Sequence, residues 1–190
     1  VLSPEEKKPF WISNNHALQY VHQLRTHEQS LLVGTVTALT DNPALTARKY
    51  FGKNPLRLLI DRELKVDADS YLFNKQSETV VFCEHIPGAG DKVNHIRYAV
   101  LNFDEDIPSQ ICNFLYDQNI QSLVVEGGSK TLQKFIDRNL WDEAIIITGA
   151  GSVHKGTKAP CAGGNLRDHF ALGDNSVSIL DNENTFFDFK

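Results

Sequence analysis

The stretch LVVEGGSKTL at residues 123–132 joins a short apolar run to an amphipathic run through two glycines and a hydroxyl-rich turn. This order predicts a strand, a tight turn and a helix. Gly127 and Gly128 let the backbone turn sharply and approach a ligand, and the free amides that begin the helix favour a phosphate. The alternative is a plain strand-to-helix connection with Ser129 as the N-cap. Glu126 favours the nucleotide site, because open α/β sheets bind ligands at the carboxyl ends of their strands.

Apolar runs of strand length alternate with helical periods along the chain. The predicted strands are 31–34, 56–61, 79–83, 96–101, 122–126 and 143–148. The predicted helices are 14–28, capped by Ser13, and 35–39, 107–118 and 129–139. This alternation predicts a mainly parallel α/β sheet flanked by helices. After the glycine-rich stretch 149–164, strands over 176–180 and 185–189 are expected to close the fold as an antiparallel hairpin.

Composition restricts the class of partner. A formal net charge of −5 without a basic run argues against nucleic acid and anionic membranes as partners, so small ligands are expected. Cys83, Cys112 and Cys161 are odd in number and lack C-x-x-C spacing, which predicts neither disulfides nor a metal site and favours the cytoplasm. No signal peptide or transmembrane run is visible, so membrane attachment is not predicted.

Several common catalytic motifs are missing from the sequence. Lys130 and Thr131 suggest a phosphate-binding P-loop, but Ser129 stands where that motif requires glycine. No G-x-G-x-x-G, H-E-x-x-H or G-x-S-x-G pattern occurs, which disfavours Rossmann dehydrogenases, zinc proteases and α/β-hydrolases. His16 and His22 are expected on helix surfaces. His154, in the glycine-rich stretch, is expected to be a loop residue rather than a catalytic base.

Three separated segments resemble the reductase domain of the bacterial riboflavin-biosynthesis deaminase/reductase. They are WIS at 11–13 followed by VHQLR at 21–25, LVGTVTALTDNPALTAR at 32–48, and VEGGSKTL at 125–132. The likeness continues through 56–61 and 141–143 and so covers most of the chain. The D-N-P-x-L-T-x-R pattern is far more specific than a glycine pair. The resemblance implies a dihydrofolate-reductase-like fold, NADPH as hydride donor, and reduction of a ribosylamino to a ribitylamino group.

The resemblance also implies roles for individual residues. It assigns to the cofactor Trp11, Thr37 and Asp41, together with the turn residues Gly128, Ser129, Lys130, Thr131 and Leu132. It assigns to the substrate Arg25, Leu45, Arg48 and Glu126. Glu126 and Asp41 are its expected catalytic residues. Two arginines can hold a substrate phosphate through paired N–H donors, and a carboxylate can orient a polar uracil or sugar group.

Each of these residues also has a purely structural explanation. Trp11 could pack against the start of a helix, Arg25 could be a solvated helix residue, and Asp41 could shape the turn before Pro43. Their joint occurrence in the family's order favours the site.

The chain departs from the family pattern near its beginning. Family members start this domain with a lysine-bearing strand and an S-x-D-G-type turn, whereas this sequence starts at Val1 without methionine. We therefore expect that N-terminal sequence is missing, and no catalytic lysine is assigned. Pro9 replaces a substrate-side serine of the family. The zinc-deaminase pattern H-x-E with P-C-x-x-C is absent, so a deaminase activity is not predicted.

Arg62 is a second departure, because the family usually has a small residue after this strand. We expect its guanidinium to pair with the 2′-phosphate of NADPH. An exposed turn residue without a ligand is the equal alternative.

The sequence therefore predicts a single reductase domain over residues 1–190. Its expected reaction is the NADPH-dependent reduction of 5-amino-6-(5-phosphoribosylamino)uracil to the ribitylamino product, with hydride passing to the sugar C1′. A pterin or folate reductase of the same fold, or a nucleotide-binding domain without turnover, are the alternatives. The expected partner is the small pyrimidine ribose phosphate. We allow for a homodimer, although the sequence carries no signal for oligomeric state.

Overall fold

The computed structural model describes residues 13–88, 95–151 and 156–183. The helices are α1 (Asn15–His27), α2 (Thr35–Asp41), α3 (Ile107–Asp117) and α4 (Ser129–Asp137), and a 3₁₀ turn spans Tyr71–Phe73. The strands are β1 (Ser30–Gly34), β2 (Leu56–Ile60), β3 (Thr79–Cys83), β4 (Ile96–Val100), β5 (Leu123–Gly127), β6 (Glu143–Thr148), β7 (Asn165–Leu172) and β8 (Asn175–Asp181). Every helix and strand predicted between residues 14 and 148 is present, with ends shifted by at most two residues.

The central sheet has five strands in the order β4-β3-β2-β1-β5, and every neighbouring pair is parallel. All residues of β1 and β3 are buried, as is typical of a parallel sheet covered on both faces. Successive β1 residues belong to different cores: Leu31 and Val33 pack in one apolar cluster and Leu32 in the other. The predicted parallel α/β architecture is confirmed.

The chain order reverses at β1. From β1 it proceeds through β2, β3 and β4 to one edge, and β5 then returns to the opposite side of β1. Such a reversal opens a crevice at the carboxyl ends of the two strands, here next to the starts of α2 and α4.

A second sheet, with the order β6-β8-β7, is antiparallel throughout. It is joined to the start of α1 by Asn14, whose backbone N–H donates to Asn175 Oδ1 at 2.7 Å and whose Nδ2 donates to Leu172 O at 2.6 Å. An antiparallel hairpin is present and is formed by β7 and β8, and β8 also pairs with β6. Sequence reasoning missed β7 because it is polar and shifts register between Leu166 and Asp168, which breaks the alternation. The strand expected over 185–189 lies outside the described residues.

Helix α1 corrects two predictions. Its N-cap is Asn14, whose side-chain oxygen accepts from Ala17 N at 2.9 Å, rather than Ser13. His22 is completely buried rather than exposed, whereas His16 is exposed as expected. No described helix is long and apolar enough to cross a membrane.

Arg57 of β2 is fully buried and binds neutral acceptors. Its Nη1 donates to Ala44 O, Tyr71 O and Asn74 Oδ1 at 3.3, 3.1 and 2.8 Å, and its Nη2 donates to Ser77 O at 2.5 Å. Burial lowers the pKa of the guanidinium to about 10, so it is charged at neutral pH. One side chain therefore ties the loop after α2 and the segment around the 3₁₀ turn to the sheet.

Replacing Arg57 by methionine should destabilise the fold by about 3 kcal/mol, because several buried oxygens would lose their donor. Urea denaturation of the two proteins measures the difference. Arg97→Met is the matched control, since exposed Arg97 donates to Gln118 only, and it should change stability by less than about 0.5 kcal/mol. Equal losses in the two variants would contradict this bracing role.

Candidate active site

Three glycines and two threonines form a cradle where β1 and β5 end. A Cβ atom on Gly34 would lie 2.6 Å from Thr131 Oγ1, and one on Gly127 would lie 2.7 Å from Thr37 Cγ2. Gly128 has a φ of +82°, and a Cβ there would lie 3.2 Å from Thr37 Oγ1 and 3.3 Å from Thr131 Oγ1. The backbone of both strand ends therefore comes close to two hydroxyl groups, with no side chain between them.

The cradle has the features that a dinucleotide pyrophosphate requires. The first backbone bond of α4 runs from Leu132 N to Gly128 O at 3.0 Å, which leaves the preceding amides of the helix directed outward. The first turn of α4 contains no acidic residue and Gly128 offers no side-chain cap. Amides, hydroxyls and the exposed Lys130 supply donors and positive charge, so the residues fit the phosphates of NADPH.

The predicted cofactor residues are not all in one place. Thr37 and the run from Gly128 to Leu132 meet at the cradle. Asp41 is the last residue of α2, about 9 Å along the helix from its first residue Thr35. Arg62 lies at the end of the neighbouring strand β2, where Nε and Nη2 donate to Glu84 at 3.1 and 2.6 Å. Trp11 lies outside the described residues.

Arg25 and Glu126, both predicted to bind substrate, form a two-pronged ion pair. Arg25 Nε donates to Glu126 Oε1 at 2.7 Å and Nη2 donates to Oε2 at 2.6 Å, while Nη1 donates to Thr46 O at 2.9 Å. The side chains are only 12% and 17% exposed. The pair spans 101 residues of sequence and places an oriented carboxylate immediately before the glycine cradle.

The other two predicted substrate residues, Leu45 and Arg48, lie on the segment whose Thr46 carbonyl accepts from Arg25. Arg48 is exposed and, within the described ranges, forms no ion pair; it borders an open cleft of about 410 Å³ with Thr46, Tyr50 and Phe51. Leu45 has a φ of +47° and its side chain is buried in the core. Any substrate contact by Leu45 would therefore come from its backbone.

His22 and Thr46 are site neighbours that sequence reasoning missed. Both are buried, and neither His22 ring nitrogen nor Thr46 Oγ1 has a hydrogen-bond partner among the described residues. Burial, Arg25 and Arg48 lower the pKa of His22 to about 4, and the Thr46 backbone opposes this shift without meeting hydrogen-bond geometry. The available signal was spacing, because His22 precedes Arg25 by three residues and so shares its helix face.

The carboxyl ends of the sheet strands carry no metal centre in the described ranges, where no cluster of three or more His, Cys, Asp or Glu residues could hold an ion. The groups available to bind a ligand are N–H and O–H donors, the oriented carboxylate of Glu126 and the exposed guanidinium of Arg48.

The family model of the RibD C-terminal domain matches residues 1–184. The chain belongs to this family. It is 30% identical over 162 residues to the 2,5-diamino-6-ribosylamino-4(3H)-pyrimidinone 5′-phosphate reductase of Archaeoglobus fulgidus, covering 78% of this chain and 74% of the relative. Identity to the reductase of the same name from Aquifex aeolicus is 31% over 146 residues, covering 72% of this chain and 63% of that relative.

Solved structures of RibD proteins and related reductases share the fold. The deaminase/reductase of Thermotoga maritima superposes with a TM-score of 0.80 at 23% identity, covering 95% of this chain and 52% of that one. The Saccharomyces reductase Rib7 superposes with a TM-score of 0.72 at 24% identity, covering 88% of this chain and 81% of that one. This RibD-family chain thus spans about half of the Thermotoga protein, and its dihydrofolate-reductase-like fold is confirmed.

The buried His22 predicts a loss of stability in acid. In the folded protein its pKa is about 4, against 6.5 for the free side chain, so below pH 6.5 the unfolded chain takes up a proton that the folded chain refuses. The contribution of neutral His22 to the free energy of unfolding is therefore fully present above pH 6.5. It is lost as the pH falls from 6.5 to 4, by up to roughly 3 kcal/mol. Chemical denaturation at several pH values measures this slope.

His22→Gln should remove that part of the slope, because glutamine does not titrate. His27→Gln, which replaces an exposed histidine of the same helix, is the matched control for the substitution itself. Parallel pH profiles for the wild type and His22→Gln would refute the assignment.

Proposed function

We propose that this chain catalyses the NADPH-dependent reduction of 5-amino-6-(5-phosphoribosylamino)uracil to its ribitylamino product in riboflavin biosynthesis. The observation that carries the proposal is the adjacency of two structures at the carboxyl end of β5. Glu126, held by Arg25, is followed directly by the Gly127-Gly128 cradle. A carboxylate that can orient the substrate thus lies within three residues of a turn that can hold a cofactor phosphate, which supports binding of both molecules in one crevice.

In this proposal the cofactor occupies the glycine cradle. The Thr37 and Thr131 hydroxyls and the first amides of α4 hold its pyrophosphate. Bound there, NADPH would supply the hydride. Gly34 packs closely against Thr131, so a side chain at position 34 would not fit in the cradle.

The substrate lies on the Arg25 side of the cradle. Glu126 accepts hydrogen bonds from a polar group of the pyrimidine or sugar, and Arg25 holds this carboxylate in one orientation. Because Glu126 occupies the Nε–Nη2 edge of Arg25 and Thr46 O accepts from Nη1, we assign the substrate phosphate mainly to Arg48, which has no ion pair among the described residues. The catalytic role of Asp41 remains a prediction.

A second substrate is favoured by the names of the relatives. The Archaeoglobus and Aquifex proteins are named for a 2,5-diaminopyrimidinone, which carries an amino group where the uracil carries an oxygen. Consumption of NADPH with each pyrimidine phosphate, and with dihydrofolate, tests the proposed function directly. Turnover of dihydrofolate alone would favour the folate alternative, and cofactor binding without turnover would favour a nucleotide-binding domain.

The cellular setting is part of the same proposal. Cys83, Cys112 and Cys161 are all free thiols, which supports the reducing cytoplasm as the location. A homodimer stays a prediction.

Gly128→Val should weaken NADPH binding at least tenfold, because valine is strained at a φ of +82° and would crowd Thr37 and Thr131. Titration of the nicotinamide fluorescence measures the affinity, and circular dichroism checks folding. Gly163→Val is the matched control, since a Cβ on Gly163 has no neighbour within 4 Å. Unchanged NADPH affinity in a folded Gly128→Val protein would exclude the cradle as the cofactor site.

Arg48→Ala should raise the KM for the pyrimidine phosphate and leave NADPH affinity nearly intact. Loss of a charge-assisted hydrogen bond of about 1.5–3 kcal/mol corresponds to roughly tenfold to a hundredfold. Steady-state kinetics measure it, with Lys53→Ala as a control for loss of an exposed cation from the same loop. An identical KM in Arg48→Ala and wild type would place the phosphate elsewhere.

Arg25→Ala should act differently, because it frees Glu126 from its partner. It should lower kcat as well as raise the KM, and Arg25→Lys should recover only part of the activity, since an ammonium group cannot reproduce the planar fork.

A further inference from the structure

Arg62 is held where three parallel strands end. It follows β2, its Nε and Nη2 donate to Glu84 after β3 at 3.1 and 2.6 Å, and its Cζ lies 5.5 Å from the ring centre of Phe103 after β4. Asp104 Oδ1 is 4.0 Å from Nη2, and Glu84 N donates to the Arg62 carbonyl at 3.0 Å. The guanidinium is thus fixed along one edge by a carboxylate and on one face by an aromatic ring.

The charge around Arg62 is negative overall. One guanidinium faces the two carboxylates of Glu84 and Asp104, and the hydrogen bond from Arg62 holds the pKa of Glu84 below its usual range. The charge of Arg62 is therefore already balanced by Glu84 and Asp104 when an anion approaches it.

This corner adjoins the glycine cradle. Thr35 follows Gly34, and its Oγ1 donates to Ile60 O at 2.7 Å, which joins the start of α2 to the end of β2. Since neighbouring strands lie about 4.8 Å apart, the ends of β2 and β5 are separated by about 10 Å across β1. The adenosine ribose of a dinucleotide whose pyrophosphate lies at Gly128 can reach across that distance. At its 2′ position NADPH carries a phosphate and NADH a hydroxyl.

We propose that Glu84 is a cofactor-selectivity residue, which holds Arg62 away from the 2′-phosphate and lets the chain bind NADH as well as NADPH. The inference rests on the proposed function, because it requires a dinucleotide in the cradle. A 2′-phosphate must compete with Glu84 for the Arg62 donors and is repelled by its charge. A 2′-hydroxyl can instead donate to a carboxylate, as it does to the acidic residue of NAD-binding folds.

The test is direct binding of NADPH and NADH by fluorescence titration, without pyrimidine substrate. Wild-type affinities for the two cofactors should lie within about tenfold of each other. Glu84→Gln should raise the ratio of NADPH to NADH affinity by about tenfold, and this gain should shrink with added salt. Arg62→Ala should lower the ratio. In the Arg62→Ala background, Glu84→Gln should raise the ratio less than it does in the wild type, because only the charge repulsion is then removed.

Glu143→Gln is the matched control, because Glu143 also pairs with an exposed arginine, Arg167, but on the second sheet. It removes the same charge and should leave the ratio unchanged. A ratio that shifts equally in Glu84→Gln and Glu143→Gln, or in neither, overturns the proposal.

Failure of the inference is distinguishable from failure of the proposed function. If both cofactors bind and support turnover but the ratio ignores Glu84, only the selectivity role is wrong. If the wild-type chain binds neither dinucleotide, the proposed function and the selectivity role fall together.

Discussion

The structure depends on the close approach of β1 and β5 at their carboxyl ends. Gly34 and Gly127 have no side chains there, and the space a Cβ would need is taken by Thr131 and Thr37 from the two helices that follow. Any larger residue would separate the strands from those helices. The same constraint that permits this packing also leaves backbone amides and hydroxyls facing one crevice, so that fold and candidate cofactor site have a single physical origin.

The Arg25–Glu126 pair is the second organising interaction. Its partners lie on α1 and β5, are mostly shielded from water, and satisfy each other through two short hydrogen bonds. Its charge also acts locally, because Arg25 adds to the burial that keeps His22 neutral. One guanidinium thus orients the Glu126 carboxylate and adds to the burial that lowers the pKa of His22.

Arg57 lies on β2 and Arg62 follows it, and the two side chains differ in burial. Arg57 points into the protein and uses neutral oxygens to hold the loops beside the predicted substrate residues. Arg62, two residues past the strand, is exposed and pairs with a carboxylate. The difference is burial: an inward arginine must be surrounded by acceptors, whereas an outward one can pair with a carboxylate at the surface.

The helices, the strands other than β7 and the glycine turn before α4 could be predicted from the sequence alone. Strand and helix spacing, the Gly127-Gly128 turn and the D-N-P pattern carry their information within short windows, where periodicity and glycine stereochemistry act. Contacts between residues that are far apart in the sequence became known only from the tertiary structure. It buried His22, joined Arg25 to Glu126, engaged Arg62 with Glu84 and paired β8 with the unpredicted β7. These outcomes depend on which partner packs opposite each side chain, which no local pattern encodes.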